Sequence, residues 1–189
     1  MVALTFRRAA LADAPRLRDL NEHAFSTNDS RPDWTGDAEL ASMYTVSLES
    51  VEKSLAMEGW ETLVAENEAG DVIASVSVGK KGDDTGRVAF LIVQDEYQRG
   101  GVGGRILAYG EDFCKREWGV KKLSLSALSS RKALLAWYRS RGYRETGETS
   151  PFPRDAGEFA SITIPEDLCF IEMDKDAGTL EADEAAKVK

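Results

Sequence analysis

Residues 87–118 read RVAFLIVQDEYQRGGVGGRILAYGEDFCKREW. The stretch opens on an unbroken apolar run of six residues, Val88 to Val93, and a run without alternation predicts a central strand buried on both faces. A polar turn follows, Gln94 to Gln98, and then Gly100, Gly101, Gly103 and Gly104. Beyond them Val102, Ile106, Tyr109 and Phe113 recur at the spacing of one helix face. The unit is therefore strand, glycine loop, helix. Four glycines inside a helix would be costly; at its start they let the backbone approach a ligand and direct free amides toward it. An anion is the natural guest of such a loop.

The kind of loop can be narrowed. No Gly-x-x-x-x-Gly-Lys-Ser/Thr string occurs, and a Gly-x-Gly-x-x-Gly pattern begun at Gly101 would need glycine where Ile106 stands. What fits is Gln-x-x-Gly-x-Gly, from Gln98 to Gly103, directly after the strand.

Length and composition set bounds on the rest. A chain of 189 residues, 42% hydrophobic and 30% charged, is expected to form one soluble domain with a real core. No apolar stretch approaches membrane-spanning length and the N-terminal MVALTFRRAA has no signal-peptide core, so a cytoplasmic location is expected. Cys114 and Cys169 form no metal or redox spacing and read as buried thiols. The net charge is −9, yet residues 98–144 hold eleven Lys/Arg against three Asp/Glu, a local +8. An acidic protein with one basic block is a poor general nucleic-acid binder; it suits one polyanionic ligand beside a surface for a cationic one.

Taken in order, residues 4–8 predict a short strand and residues 13–25 a first helix with Pro15 near its start. A polar loop runs from Ser26 to Asp37, and a second helix is expected from about Asp37 to Met57. Thr62–Glu66 and Val72–Val78 read as a hairpin joined through Asn67 to Asp71. Lys121–Leu128 alternates as a strand, Arg131–Arg141 as a helix ending at Gly142, and Tyr143–Glu148 and Leu168–Met173 as the last two strands. Residues 149–165 are expected to form a long loop, and the acidic, alanine-rich tail, from Asp174 or more narrowly over residues 176–189, to be disordered. One domain over residues 1–175 is expected.

The Gln98–Gly103 loop after a buried strand resembles motif A of the GNAT superfamily, the Gcn5-related N-acetyltransferases. Two further stretches agree. The opening Phe6-Arg7-Arg8-Ala9, continued by Ala12-Asp13-Ala14-Pro15, is similar to the usual GNAT N-terminus. The segment Arg131 to Tyr143 places Tyr138, Gly142 and an aromatic residue in register with the family pattern Asn-x-x-Ala-x-x-x-Tyr-x-x-x-Gly-Phe. Two departures are visible: Ser130 or Arg131 stands where Asn is usual, and Gln94-Asp95 where a His-Pro or similar turn is common.

The resemblance implies an α/β (α+β) acyltransferase fold with a mixed, twisted sheet of about seven strands, splayed at its centre, and about four helices. It implies acetyl-CoA as acyl donor. Backbone groups of Leu91, Ile92 and Val93 would meet the pantetheine arm, and Gln98, Arg99, Gly100, Gly101, Val102, Gly103 and Gly104 the pyrophosphate, with Arg99, Arg105 or Arg131 reaching phosphates. Tyr138, a cofactor contact as well, would protonate the departing thiolate. For the base that takes the amine proton, Glu22, Asp29, Asp33, Glu66 and Glu145 are open by position, as is a water chain. A lone histidine, His23, suits neither a Ser-His-Asp triad nor a zinc site.

The implied activity is N-acetylation of a primary amine on a small molecule or peptide, by direct transfer in a ternary complex. Its rival is a GNAT-fold domain that binds acyl-CoA without turnover. Trp34, Phe152 and Phe159, in the loops that the motifs leave unassigned, are the expected aromatic walls of an acceptor pocket, with Asp29, Asp33, Asp155 and Glu158 nearby. No metal, nucleic acid or membrane partner is implied, and a homodimer is compatible with the pattern.

Overall fold

The computed structural model describes residues 2–26, 45–153 and 166–178. It contains seven strands, β1 (Thr5–Arg8), β2 (Trp60–Glu66), β3 (Val72–Lys81), β4 (Thr85–Val93), β5 (Lys122–Leu128), β6 (Arg144–Pro151) and β7 (Cys169–Asp176). Four helices are described, α1 (Ala14–Ser26), α2 (Leu48–Leu55), α3 (Val102–Trp118) and α4 (Lys132–Arg139). The strands form one mixed sheet in the order β1-β2-β3-β4-β5-β7-β6. By internal contacts the chain divides into two compact units, residues 1–24, 46–124 and 176–189 in the first and residues 25–45 and 125–175 in the second. Strand β5 crosses from one to the other at Ser124.

In the first unit, β1 to β4 run antiparallel to their neighbours, with Phe6 opposite Ala65, Val64 opposite Ser75 and Val78 opposite Val88. The β2–β3 turn is closed by Asn67, whose side-chain oxygen accepts the backbone N–H groups of Ala69 and Asp71. Two helix layers cover this sheet. On one side Ala14, Leu17 and Leu20 of α1 and Val51 of α2 form a core with Val64, Val72 and Ile92. On the other, α3 buries Val102, Ile106, Leu107, Phe113 and Cys114. Gly110 of α3 lies so near β3 that an added Cβ would stand 3.1 Å from Val76 and 3.3 Å from Val78. A ring stack of Phe6 on Tyr109, centroids 4.9 Å apart, ties β1 to the same helix.

Strand β4 departs from the expected run buried on both faces. Between the pairs Ser75 with Ile92 and Ser77 with Ala89, β4 carries one residue more than β3. One extra residue exchanges the faces. Gly86 therefore meets Cys114 of α3, whereas Ile92 joins the α1 and α2 core. At the bulge Phe90 is 60% exposed with φ of 47°. The parallel ladder to β5 covers only Thr85 to Arg87, so residues 88–93 lie beyond it. A buried-strand reading needs cover on both faces and both edges, and β4 has it only in its first third.

The second unit is built on α4, β6 and β7. Leu135 and Tyr138 of α4 are buried with Tyr143 and Met173. Ser129 holds the start of β7 twice: its N–H donates to the Cys169 carbonyl and its Oγ accepts from the Cys169 N–H. Residues 149–151, expected in a loop, continue β6, paired with Ile171, Phe170 and Cys169 across a wide bulge at Gly147. Asp174 to Asp176, expected in a disordered tail, extend β7. Cys169 is half-buried, not buried. Of the helix expected over residues 37–57, the described part is α2; it is capped by Ser47, whose side chain accepts the Ser50 N–H. No helix among the described residues is long and apolar enough to cross a membrane.

Candidate active site

At the end of β4 the chain makes a tight, fully bonded turn. Gln94 N–H donates to the Ile73 carbonyl, Tyr97 N–H to Gln94 and Gln98 N–H to Asp95. Arg16 of α1 braces it from outside, donating from Nε to the Val72 carbonyl and from Nη2 to Gln94 Oε1 at 2.5 Å. The Gln94-Asp95 pair that departs from the family pattern is thus the keystone of this turn. His23 is exposed, its Nε2 3.2 Å from the Asp95 carboxylate.

From Gln98 the backbone changes hand twice. Arg99 has φ of 62° and Gly101 φ of 82°, both left-handed. At Gly101 an added Cβ would meet nothing within 4 Å, so the loop faces open space there. The first bond of α3 is Arg105 N–H to the Gly101 carbonyl. The N–H groups of Val102, Gly103 and Gly104 therefore have no acceptor inside their own helix. A 17-residue helix adds the positive end of its dipole to those amides. Glycines in front of them keep side chains away, an arrangement that suits an anion.

The side chains around the loop do not all point to it. Gln98 Nε2 donates to the Val93 carbonyl and to Asp95 Oδ1, so its amide holds the turn. Arg105 donates to the Val2 carbonyl at 2.7 Å and lies over the Phe6 ring. Arg99 is exposed. Leu91 and Val93 are half-buried and Ile92 is buried, with Val93 giving its carbonyl to Gln98.

In the second unit Arg131 precedes α4 and makes no side-chain cap. Burial pulls its guanidinium pKa down, opposed by the nearby Tyr138. Tyr138 is 6% exposed, edge-on to Trp137 and to Tyr143. Burial pushes its phenol up to about 12, with Arg131 acting the other way. It keeps its phenol proton at any physiological pH.

The carboxylates open as bases have other partners. Glu66 pairs with Arg7 at 2.6 Å, Glu145 with Arg139, and Glu22 accepts the Val46 N–H. Asp29 and Asp33 lie outside the described residues, as do Trp34, Phe159, Asp155 and Glu158. Phe152 is 8% exposed and stacks on Phe170, centroids 5.9 Å apart. It packs as an anchor of the β6–β7 pair. The feature that sequence reading missed is Phe90, because nothing in an apolar run announces a left-handed residue.

A family model described as the acetyltransferase (GNAT) domain matches residues 58–145, which hold β2 to β5, the glycine loop and α4. A search of curated protein sequences finds no match. Solved structures share the fold. A candidate GNAT-family acetyltransferase from Desulfovibrio desulfuricans superposes with a TM-score of 0.67 at 17% identity, over 93% of this chain and 100% of that one. The ribosomal-protein-S18-alanine N-acetyltransferase of Escherichia coli gives 0.66 at 16% identity, covering 94% and 96%. A GNAT family acetyltransferase from Elizabethkingia anophelis, solved with acetyl-CoA bound, gives 0.64 at 18% identity, covering 92% and 97%. Motif A on a strand-to-helix junction and the Tyr138 motif in register accompany a match of residues 58–145 to the acetyltransferase (GNAT) domain, and the chain shares the fold of GNAT-family acetyltransferases.

Proposed function

We propose that this protein is an acetyl-CoA-dependent N-acetyltransferase that moves an acetyl group to a primary amine of a small molecule or peptide. The observation that carries the reading is the glycine loop at the β4–α3 junction. Left-handed Arg99 and Gly101 and uncommitted helix amides fit a pyrophosphate, since they offer several N–H donors and Gly101 leaves open space beside them. Along β4, the residues past the β5 ladder suit the pantetheine arm, whose two amides can bond an open strand edge as another strand would.

When bound, acetyl-CoA supplies the activated acyl group. The chain's own residues do the rest. Amides of residues 101–104 hold phosphate oxygens, and backbone groups of Leu91 to Val93 align the arm. During transfer the amine nitrogen bonds the acetyl carbon, the carbon–sulfur bond breaks, the nitrogen loses a proton and the sulfur must gain one. Tyr138 holds a proton on its phenol oxygen at neutral pH and is the donor to that sulfur by its place in the motif. The amine proton leaves through water, because the described candidate carboxylates are engaged in ion pairs or hydrogen bonds.

A panel of polyamines, aminoglycosides, amino acids and short peptides, incubated with acetyl-CoA and read as free thiol, tests the proposal. Catalytic thiol release with at least one amine is expected. Tight acetyl-CoA binding with no release from any class would favour the acyl-CoA sensor instead.

A further inference from the structure

Two costs meet at Phe90. Its backbone is left-handed, a conformation that side-chain-bearing residues avoid, and its ring is 60% exposed, the one aromatic among the exposed large hydrophobic residues described. A glycine would remove the first cost and a polar residue the second. Strain of this kind, together with an uncovered ring, points to a ligand that covers it.

Position says which ligand, and the argument rests on the acyl-CoA reading above. With the pyrophosphate in the glycine loop, the arm runs back along β4 from Gln94. From pyrophosphate to sulfur it has about twelve bonds, the length of roughly four residues of extended chain or about 13 Å. Four residues back from Gln94 is Phe90. The β5 ladder has ended at Arg87, so the strand beside the thioester is not closed off by it. An acetyl group adds one methyl beyond the carbonyl and would cover little of a phenyl face. What remains to cover it is the carbon skeleton of the attacking amine.

We propose that Phe90 is a specificity residue whose ring forms the apolar wall for the acceptor, and that the preferred acceptor carries its primary amine on an aromatic or branched apolar group. With the arm laid along β4 in this way the ring would stand beside the reacting carbonyl, its flat face taking aryl or alkyl surface by stacking and burial. A strongly hydrophilic amine would leave the ring wet and gain nothing from it.

The test compares phenethylamine with ethanolamine as acceptors for the wild type, Phe90→Ala, Phe90→Leu and Phe90→Gly. Acetyl-CoA affinity is followed by calorimetry and folding by thermal melts. The wild type is expected to favour phenethylamine, and Phe90→Ala to lower the ratio of the two kcat/KM values at least tenfold, with acetyl-CoA affinity within twofold. Phe90→Leu should retain part of the preference. Phe90→Gly should lose it while melting at the same or a higher temperature, since glycine takes this φ freely. The proposal is overturned if the ratio moves less than twofold with acetyl-CoA affinity intact. A wild type that turns over ethanolamine as well as phenethylamine, or neither, overturns it too. So does a change confined to acetyl-CoA versus butyryl-CoA preference. A wild type that binds no acetyl-CoA refutes the transferase reading itself.

Discussion

The side-chain amide of Gln98 donates to the carbonyl of Val93 at 3.1 Å, bending the first residue of the glycine loop back onto the strand that leads into it. The same nitrogen reaches Asp95 Oδ1 at 2.9 Å, and the Gln98 N–H bonds the Asp95 carbonyl. Gln98 therefore fixes the angle at which the chain enters left-handed Arg99. In the proposed pyrophosphate site its part would be to aim the amides that follow.

Gln98→Ala should thus weaken acetyl-CoA binding without removing any phosphate contact. About tenfold is expected, the cost of roughly one lost hydrogen bond. Gln98→Glu, which sets a carboxylate against the Val93 carbonyl and Asp95, should be worse than alanine. Titration of both variants with acetyl-CoA decides the point; equal affinity for all three proteins would take Gln98 out of the loop's design.

Arg7 lies between Asp13 and Glu66, bonded to both, and its half-buried guanidinium is shared with the Arg8 carbonyl. Its hydrogen bonds are the main cause holding the Asp13 carboxyl below its ordinary value of 3.8, against desolvation and with help from the Ala10 N–H. A carboxyl depressed in the folded state contributes stability above the unfolded value that is lost as pH falls through the folded one. Arg7→Met should cost about 1 to 2 kcal/mol at pH 7, screened because the pair is partly exposed. It should also flatten the loss of stability below about pH 4. Denaturant melts of both proteins at pH 7 and pH 3 measure the two effects.

Cys114 is fully buried against Gly86, where an added Cβ would come within 2.9 Å of its sulfur. Burial, aided by the Glu111 carboxylate, pushes the thiol up from 9.0 to about 12. A group raised in the folded state gives stability that is complete below the unfolded value and lost as pH rises toward the folded one. The wild type should therefore lose stability between pH 9 and 12, by up to about 1.4 kcal/mol per pH unit for this proton. Cys114→Ala should start about 1 to 2 kcal/mol less stable at pH 7 and show a shallower alkaline slope. Parallel slopes in the two proteins between pH 9 and 10 would refute the assignment.

Much of this architecture could be read before any coordinates, and the parts that could are those with local causes. Gln98 to Gly104 announced a strand-to-helix turn because only glycine-rich chain tolerates it, and α3 follows at Val102. Asn67 to Asp71 announced the hairpin, and Gly142, with φ of 89°, stands three residues after the end of α4. What stayed hidden depends on partners distant in sequence. The β4 bulge is set by its register against Ser75 and Ser77, so Val88–Val93 looked like plain core. Strand β6 runs to Pro151 because Cys169 and Phe170 pair with it, which residues 149–151 alone do not suggest. The stacking partner of Phe152 is eighteen residues on at Phe170, a contact that its own loop does not suggest.

Tyr138 offers a cleaner separation of chemistry from packing. Phe at this position keeps the ring against Trp137 and Tyr143 and removes only the hydroxyl. The variant should lose roughly 10² to 10⁴ in kcat with acetyl-CoA affinity little changed. Retained kcat would make the tyrosine a packing or cofactor contact.

The central claim is that the glycine loop at the head of α3 binds the pyrophosphate of acetyl-CoA, and calorimetric titration of acetyl-CoA into the wild type and Gly103→Glu tests it most directly. Glutamate there sets bulk and a negative charge among the first amides of the helix, where the phosphates would lie. Micromolar binding by the wild type and at least tenfold weaker binding by the variant, about 1.4 kcal/mol, is the expected result. Unchanged affinity in a variant that melts like the wild type would contradict the account.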